Sequence, residues 1–104
     1  MSIHWLAGLL EGEGCFAAIT VGSSGYYTSP LVSLVMTDKD VVERATRIME
    51  KIGKRRINCS IRHLPSGKYA YQRQTTGLPA AKIMYRVLPL MGRRRATKIR
   101  QVLR

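Results

Sequence analysis

The chain has 104 residues, 45% of them hydrophobic, and a formal net charge of +12. That length suits one compact domain, residues 1–104, with a small core, and the charge points to a polyanionic partner, nucleic acid or anionic membrane. No apolar run approaches the ~18 residues of a membrane span and no signal-peptide pattern opens the chain, so the expectation is an intracellular protein, not secreted, cytoplasmic or organellar or phage-encoded, without a membrane partner.

The charge is unevenly laid out. All six acids, from Glu11 to Glu50, lie in the first half, and from Lys51 to Arg104 there are fifteen Lys and Arg and no acid. Cys15 and Cys59 lack metal-ligand spacing and read as reduced thiols.

In chain order, Ile3 to about Gly12 predicts a helix, with Leu6, Leu9 and Leu10 on one face and Gly14 ending it. Cys15 to Val21 is short, β-branched and apolar, a strand. Gly22-Ser23-Ser24-Gly25 is a turn by composition. Tyr26 to Met36 is a second strand, with Pro30, Val32, Leu34 and Met36 on one face and Ser29, Leu31, Ser33 and Val35 on the other. Thr37-Asp38-Lys39-Asp40 has the form of a capping box, because an acid three residues after a threonine can return its hydrogen bond. A second helix follows, with Val41, Ala45, Ile48, Met49 and Ile52 at helical spacing and Gly53 as its C-terminal glycine.

Ile57 to Leu64 predicts a third strand, with Ile57, Cys59 and Ile61 pointing one way and Asn58, Ser60 and Arg62 the other. Pro65-Ser66-Gly67-Lys68 is a hairpin turn, and Tyr69 to Thr75 the fourth strand. Ala80, Ile83, Met84, Val87 and Leu88 mark a third helix between Pro79 and Pro89. Arg93 to Leu103 is a last, very basic helix with Ala96, Ile99 and Leu103 inward. The order α-ββ-α-ββ-α-α implies an α+β domain: a four-stranded antiparallel sheet with helices on one face. The open face would carry Asn58, Ser60, Arg62, Ala70, Gln72 and Gln74. Asn, Gln and Arg can read base edges bidentately in the major groove, which admits a β-ribbon.

Glu11 and Glu13 stand in the last turn of the first helix, where unpaired carbonyls already carry about half a negative charge. Each is disfavoured there and the two repel. A divalent cation would supply the missing charge, and carboxylate, backbone carbonyl and water are hard oxygen ligands suited to Mg2+. Gly8 and Gly12, four residues apart beside Ala7, form a smooth groove for close approach of another helix. If that helix belongs to a second copy, two Glu13 carboxylates meet across a two-fold axis.

The segment Leu6–Gly14, LAGLLEGEG, is similar residue for residue to the LAGLIDADG motif of the homing endonucleases. The resemblance extends to the element order, the TDKDVV helix start, the YQRQTTG end of the fourth strand and the basic MGRRRATKIRQVL tail. It implies a homodimeric, Mg2+-dependent, site-specific endonuclease, intron-encoded in many relatives, that holds double-stranded DNA against its sheets and hydrolyses a phosphodiester bond with metal assistance. It implies metal ligation by Glu13, the eighth motif position, with the Gly12 carbonyl as a second ligand, and a helix-end or hydrogen-bonding role for Glu11. Arg93, Arg94 and Lys98 become the candidates for an assisting basic group, and Asp38 or Thr37 for a water-positioning one. Trp5, Ala7, Gly8, Glu11 and Gly12 become the dimer-interface candidates. The DNA-contacting set would comprise Tyr27, Ser29, Ser33, Asn58, Ser60, Arg62, Lys68, Gln72, Arg73 and Gln74.

The first hairpin departs from the pattern. By the family's alternation its DNA-facing positions, Cys15, Ala17, Ile19, Val21, Ser29, Leu31, Ser33 and Val35, are largely apolar. Such groups can touch thymine methyls but cannot hydrogen-bond. Either DNA contacts concentrate on the second hairpin, or that face is partly buried in something else. A non-catalytic DNA-binding regulator or an RNA-binding intron maturase is the alternative on the same fold.

Overall fold

The computed structural model describes residues 2–21 and 27–103. The expected turn at Gly22–Gly25, with Tyr26, lies outside them. Helix α1 (Ile3–Glu13) leads into β1 (Gly14–Val21) and β2 (Tyr27–Met36). Helix α2 (Lys39–Gly53) leads into β3 (Asn58–His63) and β4 (Tyr69–Thr76). Helix α3 (Leu78–Val87), a 3-10 turn at Leu88–Leu90 and helix α4 (Arg93–Leu103) complete the order. The α-ββ-α-ββ-α-α expectation holds, and the sheet is antiparallel throughout.

Strand order is β1-β2-β4-β3, so the two hairpins join through β2 and β4. Register puts Phe16 opposite Val32, Val32 opposite Thr75 and Leu34 opposite Arg73. These positions share one face, and Phe16, Val32 and Leu34 are buried in the core there. The core is closed by Leu6 and Leu10 of α1, Ile48 and Met49 of α2, Ile83 and Met84 of α3 and Ile99 of α4. Removing such side chains from water is the dominant favourable term in folding.

Local chemistry explains the helix ends. Ser2 caps α1, its hydroxyl accepting from the Trp5 N–H at 3.0 Å. Gly14 closes α1, its N–H returning to the Leu10 carbonyl; a Cβ there would lie 2.8 Å from that oxygen. The Thr37–Asp40 capping box does not form. Helix α2 starts at Lys39, so Asp38 takes the cap position without a side-chain bond and Asp40 is one residue short of the reciprocal position. Asp40 instead accepts from its neighbour Val41 N–H at 3.0 Å.

Gly53 is not the left-handed terminator of α2. That conformation falls on Lys54, at φ 57°. Gly53 is the last helical residue, and it is buried, because α3 crosses it: a Cβ there would stand 2.9 Å from Pro79 Cβ. Just beyond, Glu50 accepts from Ile57 N–H at 2.8 Å and fastens the start of β3 to the end of α2.

The inward face expected for β3 also fails beyond Ile57. Cys59 and Ile61 are exposed, Ile61 by 63%, because β3 is an edge strand that overhangs the helical layer. Among the described residues no helix is long and apolar enough to cross a membrane.

The Gly53 contact makes a stability prediction. Alanine improves helix propensity by about 1 kcal/mol, but overpacking against a rigid proline ring costs about 1–3 kcal/mol. Gly53→Ala is expected to lower stability by about 1 kcal/mol net, read as a lower denaturant midpoint at unchanged slope.

Candidate nucleic-acid interface and metal-binding end

The face of the sheet away from the helices is set by the same alternation. Ser33 stands between Cys15 and Gln74, and Gln74 opposes Asn58, so Cys15, Ser33, Gln74 and Asn58 form one row across all four strands. The next row runs through Val35, Gln72 and Ser60. Ser29 opposes Ile19 and Arg62 opposes Ala70 on this face; Ala70, expected to be open, is buried at 4% exposure. Side chains link along it: Arg62 Nη2 donates to Gln72 Oε1 at 3.2 Å, and Gln72 Nε2 donates to Gln74 Oε1 at 3.3 Å. Tyr27 stands exposed at the start of β2, and Lys68 is exposed at the turn between β3 and β4.

The apolar positions of the first hairpin lie on this face as well. Leu31 is buried there outside the main core cluster, while Val35 and Cys15 are exposed. The polar groups able to pair with bases therefore gather on β3 and β4.

Arg73 does not belong to that set. It lies one residue from Gln72 and Gln74, so its side chain is directed to the helix-covered face, where it is 7% exposed. Its Nη1 donates to the Gln72 carbonyl at 2.9 Å and its Nε has no partner. Ala7, expected at the dimer interface, is buried within its own chain. It shares the inward face of α1 with Leu6 and Leu10 and is 3% exposed within its own core.

Gly8 and Gly12 fall on the outward side of α1. Both are exposed, and a Cβ on either would meet nothing within 4 Å. Trp5 is half-buried against the core, and the Arg44 guanidinium lies 4.1 Å from the centre of its ring.

At the end of α1 the two glutamates part. Glu11 is tied within the chain: one carboxylate oxygen accepts from Gly92 N–H, ahead of α4, and the other lies 3.6 Å from Arg95 Nε. Arg95 also donates to the Gly14 carbonyl. Glu13 is exposed and makes no ion pair among the described residues. From the next residue on, a cavity of about 310 Å³ is lined by Gly14, Cys15, Phe16, Arg94, Arg95 and Lys98. Arg93 faces an adjoining depression with Arg94, Thr97, Lys98 and Gln101. Because Gly14 opposes Leu34, Asp38 emerges at the same end of the sheet as Glu13; it is exposed at the start of α2.

Among the described residues no group of three or more His, Cys, Asp or Glu could cage a metal ion. The α1 end fits a different type of site. Mg2+ keeps several waters and takes one or two carboxylates together with substrate phosphate, and an exposed Glu13 next to backbone carbonyls supplies that hard-oxygen set.

Comparison with protein-family models and with curated protein sequences finds no match. Comparison with solved structures does. The homing endonuclease I-CvuI, in complex with I-CreI target in the presence of Mg with DNA not cleaved, aligns at a TM-score of 0.65 and 15% identity, over 97% of this chain and 63% of that one. The LAGLIDADG meganuclease I-AabMI, bound to uncleaved DNA, aligns at 0.68 and 16% identity, over 99% of this chain and 35% of that one. The LAGLIDADG meganuclease I-CpaMI, also bound to uncleaved DNA, aligns at 0.56 and 14% identity, over 86% and 31%.

The chain has the LAGLIDADG homing endonuclease fold. It spans less than two thirds of the length of each of these neighbours. Within this LAGLIDADG fold, Arg95 is the residue that sequence reasoning missed. It is the third of three consecutive arginines, and the available signal was its spacing: four residues before Ile99, it shares the inward side of α4.

The two faces predict opposite responses. Arg73→Ala removes a buried stem and its hydrogen bond and is expected to cost about 1–3 kcal/mol. Gln74→Ala, on the exposed face, is expected to stay within about 0.5 kcal/mol. Chemical denaturation of the two variants checks both.

Proposed function

We propose that this chain is a metal-dependent, site-specific double-strand DNA endonuclease that works as a homodimer, each copy of residues 1–104 acting as one LAGLIDADG domain. The observation that carries the reading is the exposed Glu13 carboxylate at the end of a glycine-faced helix, one residue before a cavity lined by Gly14 and three cations, with a polar sheet face on the same fold.

Each group has a task on this reading. Asn58, Arg62, Gln72 and Gln74 offer donors and acceptors to base edges in a major groove, and Tyr27, Ser29, Ser33, Ser60 and Lys68 flank them. Arg93, Arg94 and Lys98 hold backbone phosphates and set the register of the duplex. Glu13 and the Gly12 carbonyl hold Mg2+. When bound, that ion supplies electrostatic stabilisation to the phosphorus centre and the leaving oxygen. On this reading Asp38 orients a water; its exposure at the same end of the sheet as Glu13 supports that role. The bare Gly8 and Gly12 surface lets α1 of a second copy approach closely, bringing two Glu13 side chains to the two strands of one duplex.

Two experiments test this. Incubation with a randomised duplex library with and without Mg2+, followed by sequencing of new ends, is expected to give cutting at one site in the presence of the ion. Glu13→Gln is expected to lose at least about a hundredfold in cutting while duplex affinity stays near wild type. Undiminished cutting by this variant refutes the assignment, and binding without any metal-dependent cutting favours a regulator or an RNA-binding protein. For the dimer, Gly8→Leu has open space within its own chain, so it is expected to keep its fold yet sediment as a monomer, whereas wild type sediments as a dimer.

A further inference from the structure

The α1 end holds two acids in one turn, but the chain treats them differently. Both oxygens of Glu11 are met in cis, one by a hydrogen bond from the Gly92 N–H and one by an ion pair with the Arg95 guanidinium, whose buried Nε makes no hydrogen bond among the described residues. The same guanidinium reaches the Gly14 carbonyl just past the helix. The contacts join residues 81 apart in sequence, and the Arg95 side chain is only 18% exposed. One side chain thus meets Glu11, two residues before Glu13, and Gly14, the residue after it, while Glu13 itself has no ion pair among the described residues.

We propose that Arg95 is a positioning residue that neutralises Glu11 and holds Gly14, reserving the end of α1 for a single divalent ion at Glu13. The inference rests on the endonuclease reading of that same site. Its physical basis is charge and geometry together. An unpaired Glu11 would place a second negative group two residues from Glu13, at a helix pole that is already negative, and would offer the ion a second carboxylate. Arginine suits the task because its planar fork can meet a carboxylate and a carbonyl at once, which a lysine ammonium cannot do in fixed geometry. Its neighbours Arg94 and Lys98 line the same cavity and have no acid partner among the described residues, which leaves them available to phosphate.

The test uses the full chain, with Mn2+ as the probe ion and the EPR signal of the free ion as the readout, alongside single-turnover cleavage. Arg95→Gln is expected to bind Mn2+ several-fold more tightly, because Glu11 is released as a ligand, and to cut at least about tenfold more slowly, because the ion is misplaced. Adding Glu11→Gln to this variant is expected to return Mn2+ affinity to the wild-type value. Arg95→Lys is expected to keep wild-type Mn2+ affinity and recover part of the cleavage. Glu11→Gln alone is expected to leave Mn2+ affinity unchanged; a fall there would make Glu11 itself a ligand and overturn the proposal even if Arg95→Gln fails to fold. An Arg95→Gln protein with unaltered Mn2+ affinity, or with a cleavage loss that merely follows its melting temperature, also overturns it while leaving the endonuclease reading intact. A wild-type protein that neither cuts nor binds Mn2+ through Glu13 overturns both.

Discussion

The constraint on which one end of this molecule depends is the negative pole of α1. A helix C-terminus exposes unpaired carbonyls, and acids there raise the local free energy unless something answers them. Two glutamates stand at this pole, and the fold answers one of them: α4 delivers the Gly92 N–H and the Arg95 guanidinium to Glu11. Glu13 has no cation partner among the described residues. An acid pair that looks uniform along the chain is therefore one satisfied group and one unsatisfied group.

The second organising constraint is alternation along the strands. Each residue step reverses the side chain, so a register shift of one would exchange the whole core face for the open one. Phe16, Val32 and Leu34 hold the sheet to the helices, and that anchoring fixes Ser33, Gln72, Gln74 and Asn58 on the opposite side. The polar network from Arg62 through Gln72 to Gln74 follows from the same register. Arg73, set between two such glutamines, is buried for the same reason that they are not.

Much of this was legible from residue order. The eight regular elements appear where apolar periodicity and glycine or proline punctuation put them, and the open-face residues of the second hairpin follow from period-two counting. The misses are local and physical. A one-residue shift in the start of α2 removed the capping box. Gly53 looked like a terminator, but it is required by the passage of Pro79 over α2. Cys59 and Ile61 looked like core, but the strand that carries them overhangs the helices. Ala7 looked like part of a small-residue groove, but it turns inward with Leu6 and Leu10.

By itself the sequence determined the periodicities, the turn chemistry, the one-sided placement of charge and the presence of two acids at a helix end, because each of these is set by residues near one another in the chain. Tertiary structure alone decided the strand order β1-β2-β4-β3, the overhang of β3, and the pairing of Glu11 with Arg95. Those outcomes join segments that are distant in sequence, and which cation reaches which acid depends on how α1 and α4 come to lie together, a matter no local spacing encodes.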